Sequence, residues 1–229
     1  MDKPESVSDL SASSQNYLKA VWGLQEWSAE PVTKSALAEC VGVKLSTASD
    51  AVRKLRDQGL LNDTRYGAVT LTETGAELAV AMVRRHRLIE LFLCEVLDYE
   101  WHEVHDEAEA LEHAVSDLFV TRIAERLGFP ERDPHGDPIP RADGSVPTLR
   151  AVRLSELGPG AGGVIERISD GDPELLRHLA ASGIVINAEL EVLAGAPYSG
   201  TFAIRLGDAS EAQHLSAGAA NAIWVGERY

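Results

Sequence analysis

The pattern of apolar positions changes twice along the chain and divides it into three segments. In residues 1–75, apolar side chains recur at helical spacing over residues 14–27, 34–40 and 46–58, and two short strands follow within residues 60–71. Gly42 and Gly59 follow the second and third stretches and are typical helix stops. Helix, short turn, helix and hairpin is the layout of a winged helix-turn-helix domain.

The third predicted helix and the hairpin tip are rich in small polar and basic side chains. Such side chains contact the phosphates and base edges of DNA. The candidate DNA-binding residues are Lys44, Ser46, Thr47, Ser49, Asp50, Arg53, Lys54, Arg65 and Tyr66. A helical protein-interaction domain with a solvated polar face is the alternative, but turn spacing and hairpin together favour DNA.

Residues 76–140 and 141–229 have different patterns. Residues 76–127 are predicted to be helical throughout, and the excess of apolar residues between 88 and 97 indicates either an ordinary buried helix or one that also buries a dimer contact. Residues 128–148 contain five prolines and three glycines and are predicted to be a loop or linker. Short strands after residue 149 predict a small β-barrel with one inserted helix. We therefore expect a mainly α protein with a small β domain.

Composition favours a soluble globular protein of 229 residues, 45% of them hydrophobic. No apolar run approaches the roughly 18 residues of a membrane span, and the N-terminal residues lack the pattern of a signal peptide. Cys40 and Cys94 lie in separate predicted helices and indicate no disulfide framework. We expect a cytoplasmic protein that does not bind membranes.

The formal net charge of −15 argues against a nucleic-acid partner, but its distribution weakens that argument. Residues 76–140 carry 15 acidic against 6 basic side chains, whereas residues 44–65 carry 5 basic against 3 acidic ones. The acidity is therefore concentrated outside the predicted DNA-binding helix. We expect DNA binding with poor affinity for non-cognate sequences.

Four candidate metal ligands share one face of a predicted helix. They are His105, Glu109, Glu112 and His113. Their spacing of i, i+4, i+7 and i+8 places them within an arc of about 100°, and His86 and Glu90 repeat the i, i+4 spacing upstream. A core stripe should be apolar, so a bound metal explains this pattern better than packing does. Imidazole and carboxylate donors without thiolate favour Mn(II) or Fe(II) over a thiolate-rich zinc site.

Other interpretations of these residues remain open. A solvated acidic helix face with incidental histidines would produce a similar run, although the second His/Glu pair favours a metal. A catalytic centre could use Glu103 or Glu107 as acid or base, but the chain lacks the HExxH and GxSxG motifs of hydrolases. A DNA-binding module beside a metal site favours a sensor over a metal-dependent hydrolase or a metal-buffering protein. His135 is expected to be a turn histidine.

The chain resembles the diphtheria-toxin-repressor family of metal-dependent transcriptional regulators, and within it the manganese-responsive type. The resemblance rests on the winged helix, residues 83–88, the run from Val104 to Asp117 that contains the ligands, and residues 136–140. It implies a repressor whose metal-bound homodimer binds a pseudo-palindromic DNA operator. It also implies a winged helix over 1–75, a helical metal-binding and dimerisation domain over 76–140 and an SH3-like, FeoA-like domain over 141–229.

The resemblance further implies two metal positions. The first would use His86, Glu90 and His105, completed by the C-terminal domain, where Asp170 and Asp172 are the nearest candidates. The second would use Glu109, Glu112 and His113 with Asn16 of the first helix. A carboxylate at position 109 is typical of the manganese type, and iron-type members have a cysteine there.

Two positions depart from the manganese type. Asn16 stands where such members usually have an aspartate, and Lys19 stands where some have a further carboxylate. Mn(II) is the expected ion, with Fe(II), Co(II) or Zn(II) able to bind in vitro. An iron-responsive regulator of the same family is the alternative.

Overall fold

The fold consists of a helical unit and a unit built around a β-sheet. The structure is a computed structural model that describes residues 4, 6–64, 68–195 and 200–226. Unit 1 comprises Met1–Ile89, Glu109–Phe129 and Pro140–Val146. Unit 2 comprises Glu90–Ala108, Pro130–Ile139 and Pro147–Tyr229.

The first part of unit 1 is a winged helix-turn-helix, as the apolar pattern predicts. Its elements are α1 (Ala12–Glu26), α2 (Lys34–Cys40), α3 (Leu45–Asp57), β1 (Leu61–Asp63) and β2 (Val69–Leu71). Thr33 caps α2 by accepting a hydrogen bond from the Ala36 amide. The two strands pair antiparallel, with Leu61 opposite Leu71. The predicted motif is confirmed.

The core of unit 1 joins α1 to the helix-turn-helix. Leu18 and Val21 of α1 belong to the same buried cluster as Leu37 of α2 and Val52 and Leu55 of α3, and none is more than 1% exposed. Burying a large aliphatic side chain contributes about 1.5–3 kcal/mol. Because this cluster is close-packed, α1 cannot shift without repacking against α3.

The segment that was predicted to be helical throughout is interrupted twice. It forms α4 (Glu73–Leu97), α5 (Val104–Leu111) and α6 (Asp117–Arg126). After α4 the backbone turns at Asp98, which has a φ of 57°, and Ser116 caps the start of α6. The single-helix prediction for the ligand run is therefore wrong, since Glu112 and His113 lie in a turn beyond the end of α5. None of the described helices has the length and apolar character needed to cross a membrane.

Unit 2 contains a six-stranded antiparallel sheet. Its elements are β3 (Ala151–Arg153), β4 (Gly162–Ile168), α7 (Pro173–Ala181), β5 (Glu189–Leu193), β6 (Thr201–Leu206), β7 (Gln213–Ser216), α8 (Ala217–Asn221) and β8 (Ile223–Gly226). The strand order is β3-β8-β4-β5-β6-β7, so within the described residues the sheet is open between β3 and β7 and the expected barrel is not closed.

The part of the proline-rich stretch that spans Pro130–Ile139 belongs to unit 2. Residues 135–139 are all buried. Asp137 forms a buried ion pair with Arg167 of β4, with 2.6 Å between Oδ1 and Nε, and the Arg167 guanidinium lies 4.1 Å from the centroid of the Trp224 ring. Gly136 has a φ of 88°, and a Cβ there would lie 2.0 Å from the Glu166 carbonyl oxygen. This position therefore accepts only glycine.

Asp137→Ala should lower the free energy of unfolding by about 3–5 kcal/mol, because it leaves the Arg167 guanidinium buried without its carboxylate. The measurement is urea denaturation followed by tryptophan fluorescence. The matched control is Glu174→Ala, which breaks the exposed pair with Arg177 and should change little. Equal effects of the two variants would contradict the structural role of the Asp137–Arg167 pair.

Candidate metal centres and nucleic-acid interface

The most deeply buried carboxylate of the predicted ligand set belongs to Glu112. Its side chain is 0% exposed, and Lys19 of α1 donates to both of its oxygens at 2.7 and 2.9 Å. His86 Nδ1 lies 2.6 Å from Oε2. Lys19 also pairs with Glu109 and lies 3.4 Å from His86 Nδ1. One buried carboxylate thus brings α1, α4 and the turn after α5 together.

The charge of Glu112 is stabilised by these neighbours. Burial by itself would raise the pKa of this carboxyl, but the hydrogen bond with His86 and the positive charge of Lys19 hold the pKa below its usual value. Glu112 is therefore ionised at neutral pH, which is the form that can bind a metal.

The backbone at Glu112 is fixed by a buried arginine. Arg85 of α4, 2% exposed, donates to the Glu112 carbonyl oxygen at 3.0 Å and to Asp117 Oδ1 at 2.6 Å. Asp117 is the first residue of α6, so Arg85 holds both ends of the turn between α5 and α6. The turn is consequently a defined position for Glu112 and His113.

His113 is oriented by a glutamine of α1. The Gln15 amide nitrogen donates to the carbonyl oxygens of Val7 and Leu10, which leaves its Oε1 as an acceptor 2.6 Å from His113 Nδ1. His113 must therefore carry its proton on Nδ1. In the neutral ring the lone pair is on Nε2, 3.6 Å from Glu112 Oε1. Such a hydrogen bond on the far nitrogen is typical of metal-binding histidines.

Asn16 follows Gln15 on α1 and supplies an unsatisfied oxygen. Its Oδ1 is buried and has no hydrogen-bond partner among the described residues. A buried polar atom without a partner is costly, and a cation is one way to satisfy it. The family resemblance groups Asn16 with Glu109, Glu112 and His113, which would together offer one amide oxygen, two carboxylates and one imidazole, a set of donors that suits a divalent ion. We refer to these four predicted ligands as the sensing centre.

A second group of candidate ligands lies in unit 2. The ligand atoms of Glu90, His105 and Asp170 lie within 4.8 Å of one another. His105 Nδ1 is 2.9 Å from Asp170 Oδ2 and 3.4 Å from Glu90 Oε1. Burial alone would lower the pKa of His105, but the two carboxylates raise it to about 11. Asp172, the other predicted ligand, instead caps α7 by accepting from the amides of Glu174 and Leu175.

Sequence reasoning did not find a third group, formed by Glu90, Asp133 and His135. All three side chains are buried. His135 Nε2 lies 2.7 Å from the Trp101 carbonyl oxygen and donates to it, and its Nδ1 has no hydrogen-bond partner within the described ranges. The run Asp-Pro-His-Gly-Asp has the composition of a turn, so sequence gave no sign that His135 is a core residue.

Most of the predicted DNA-binding residues lie on α3 or directly before it. Lys44, Ser46, Thr47, Asp50, Arg53 and Lys54 are exposed, and Ser49 is half-buried. The Arg53 guanidinium pairs with Asp50 at 2.5 Å, so its charge is partly compensated. Leu45 is 52% exposed at the start of α3 and was not predicted. Arg65 and Tyr66 lie outside the described residues.

Comparisons with known proteins agree with this arrangement. Residues 9–69 match the N-terminal DNA-binding domain of iron-dependent repressors, and residues 72–141 match the metal-binding and dimerisation domain of iron-dependent repressors. Residues 152–227 match the FeoA domain. The three domain types that the resemblance implies are therefore all present in this chain.

Individual relatives resemble the chain over most of its length. The iron-dependent repressor IdeR of Mycobacterium leprae is 31% identical over 81% of this chain and 86% of the relative. A manganese-dependent transcriptional repressor in complex with manganese is 51% identical, with a TM-score of 0.89 over 93% of this chain and 99% of that one. The manganese regulator SloR is 31% identical, with a TM-score of 0.78 over 94% and 98% of the two chains.

Cys94 lies one helical turn after Glu90 in α4. Burial and the nearby negative charges of Glu90, Glu95, Asp133 and Glu100 raise the pKa of Cys94 to about 12. Because the thiolate is the form that binds metals and reacts with electrophiles, Cys94 is a poor ligand and a poor nucleophile at neutral pH.

Dithionitrobenzoate at pH 8 should therefore modify one thiol per native chain quickly, the exposed Cys40, and Cys94 only after unfolding. Absorbance at 412 nm measures both phases. Cys40→Ser should remove the fast phase and leave the slow one. Two fast equivalents in the native protein would contradict the raised pKa of Cys94.

Proposed function

Because the chain belongs to the diphtheria-toxin-repressor family of metal-dependent transcriptional regulators, we propose that it is a manganese-responsive repressor that binds a pseudo-palindromic operator as a homodimer. The observation that supports this proposal best is the sensing centre, where Glu112 and His113 contact α1. That helix directly precedes the helix-turn-helix and shares its core.

Asn16, Glu109, Glu112 and His113 are the residues that would hold the sensing ion. When bound, a divalent cation would compensate the negative charge of the two carboxylates and would accept a lone pair from the unsatisfied Asn16 oxygen. Oxygen donors predominate in this set, and hard oxygen donors suit Mn(II). The carboxylate at position 109 supports manganese over iron. The iron-dependent relatives make an iron-responsive regulator the second candidate.

Glu90, His105 and Asp170 would hold an ancillary ion in unit 2. His105 must lose its proton to become a ligand, so binding there releases protons and is favoured at higher pH. His86 is assigned to this set by the family resemblance, and that assignment stays a prediction. Its Nδ1 contacts Glu112 in unit 1.

The sensing centre is coupled to DNA reading through α1. Gln15 and Lys19 contact His113 and Glu112 in the turn after α5, while Leu18 and Val21 of the same helix pack in the core that includes α3. A change that positions α1 thus positions the reading helix. A shift from 1% to 99% active protein requires a differential binding free energy of about 5.5 kcal/mol.

The exposed face of α3 would contact the operator. Lys44 and Lys54 suit phosphates, Ser46 and Thr47 suit phosphates or base edges, and Leu45 suits the methyl group of a thymine. The acidity of the remainder of the chain would lower its affinity for non-cognate DNA.

Exposed apolar side chains on and after α6 are candidates for the dimer contact. Leu118 is 66% exposed, Phe119 45% and Phe129 68%, and all three lie within the residues that match the metal-binding and dimerisation domain. Exposed large apolar residues in one segment are typical of an association surface.

Metal-free protein should bind operator DNA at least 100-fold more weakly than protein saturated with Mn(II), because only the ion completes the sensing centre. Fluorescence anisotropy with fragments selected from genomic DNA measures this. Glu112→Gln should abolish the response, whereas Glu125→Gln on the exposed face of α6 should not. Metal-independent DNA binding would refute the proposed gating, and metal binding without DNA binding would favour a metal buffer.

Asn16→Asp should tighten Mn(II) binding by roughly 10-fold, because a charged oxygen replaces a neutral one beside the ion. Isothermal titration calorimetry at constant pH measures the change. The control is Gln58→Glu, which adds the same charge elsewhere in unit 1. An unchanged affinity of Asn16→Asp would show that Asn16 is not a ligand.

A further inference from the structure

The Lys19 ammonium lies inside a group of candidate metal ligands. The ligand atoms of His86, Glu109 and Glu112 lie within 4.8 Å of one another, and Lys19 Nζ contacts an atom of each. The side chain is 17% exposed. The group that could hold a cation thus already contains one, which is covalently attached to α1.

All the hydrogen-bond donors of the Lys19 ammonium have acceptors in this position. Lysine has three N–H donors and no acceptor. Glu109 Oε1 and the two Glu112 oxygens provide three carboxylate acceptors. An ammonium surrounded by carboxylates is a strongly hydrogen-bonded arrangement.

We propose that Lys19 is a built-in cation that permanently occupies the His86–Glu109–Glu112 group, so that the sensing centre takes one exchangeable ion and not two. The number of ions rests on the proposed function, whereas the tie between α1 and the turn after α5 does not. Lys19 thereby sets the number of exchangeable metal ions that bind at the sensing centre.

Charge favours a single exchangeable ion. Glu109 and Glu112 carry two negative charges, and Lys19 compensates one of them. One divalent ion beside Asn16 and His113 then more than neutralises the centre. A second divalent ion within the His86 group would be in contact with the ammonium, at a distance where like charges repel strongly in a buried site.

The lysine also orders α1 without metal. Gln15 contacts His113, Lys19 contacts Glu109 and Glu112, and Glu26 pairs with Arg87 of α4 at 2.6 Å. These ties are spread along the whole of α1. Metal-free protein should therefore already have α1 docked, and the ion should adjust its position without ordering it from a disordered state.

Native mass spectrometry of full-length Lys19→Glu should detect one more Mn(II) per chain than wild-type protein at the same free Mn(II) concentration. Lys19→Met should lower the unfolding temperature of the metal-free protein and enlarge the increase that Mn(II) produces. The matched control is Lys34→Met, which removes the half-buried pair with Asp63 in the same unit and should change neither stoichiometry nor the Mn(II) response.

Amine labelling of the wild-type chain tests whether Lys19 stays in the His86–Glu109–Glu112 group when Mn(II) binds, and it needs no variant. Acetylation followed by peptide mass spectrometry should find Lys19 protected both with and without Mn(II), relative to the exposed Lys44 and Lys54. Labelling of Lys19 that increases at least tenfold with Mn(II) would overturn the proposal, since the ion would then displace the lysine. An unchanged ion count in folded Lys19→Glu would also overturn it.

These outcomes are separate from the test of function. Mn(II)-independent DNA binding by the wild-type protein would refute the proposed repressor, and the protection of Lys19 would still show an occupied group. Conversely, normal Mn(II)-dependent DNA binding together with an exposed Lys19 would leave the repressor intact and remove the built-in cation.

Discussion

The arrangement of unit 1 depends on the buried charge of Glu112. An ionised carboxylate that is removed from water is strongly destabilising unless cations and donors surround it. Lys19 comes from α1 and His86 from α4, while Arg85 binds the carbonyl oxygen of the same residue. The helices that frame the sensing centre meet where this one carboxylate requires compensation. In the proposed mechanism, a change in cation content at this point would act on the position of α1.

The carboxylates of the second group of candidate ligands also need a compensating positive charge, which comes from a protonated histidine. In unit 2, Glu90 and Asp170 flank His105, and their negative charges keep the imidazole protonated at neutral pH. Protonated His105 and the Lys19 ammonium differ in whether their positive charge can leave. A proton on His105 is exchangeable, so a metal can replace it, whereas the Lys19 ammonium is attached to the chain. If both groups bind metal as we propose, the group of Glu90, His105 and Asp170 can exchange its whole positive charge, whereas the sensing centre can exchange only part of its own.

Local periodicity predicted most elements, and long-range pairing accounts for what it missed. The helices of the winged motif and strands β4, β5, β6 and β8 follow from the spacing of apolar residues. The end of α5 at Leu111 does not, because Arg85 and the Ser116 cap define the turn. Lys19 and Glu112 are 93 residues apart, so no spacing rule could pair them. Composition predicts a loop or linker for the proline-rich stretch, and no helix or strand forms there. Composition does not predict that Asp137 is buried, because its partner Arg167 is 30 residues away.

Charge also decides how a metal can control DNA binding in so acidic a chain. Two divalent ions would change the formal charge from −15 only to about −11, and salt screens charges over about 8 Å. A change in overall charge is therefore too small to switch operator binding on and off. A change in the position of α1 would have a larger effect on DNA affinity, because Leu18 and Val21 pack in the same close-packed core as Val52 and Leu55 of α3. In the proposed mechanism, a small displacement of α1 would therefore reach α3 through packing, and metal would control the geometry of the DNA-binding domain more than its charge.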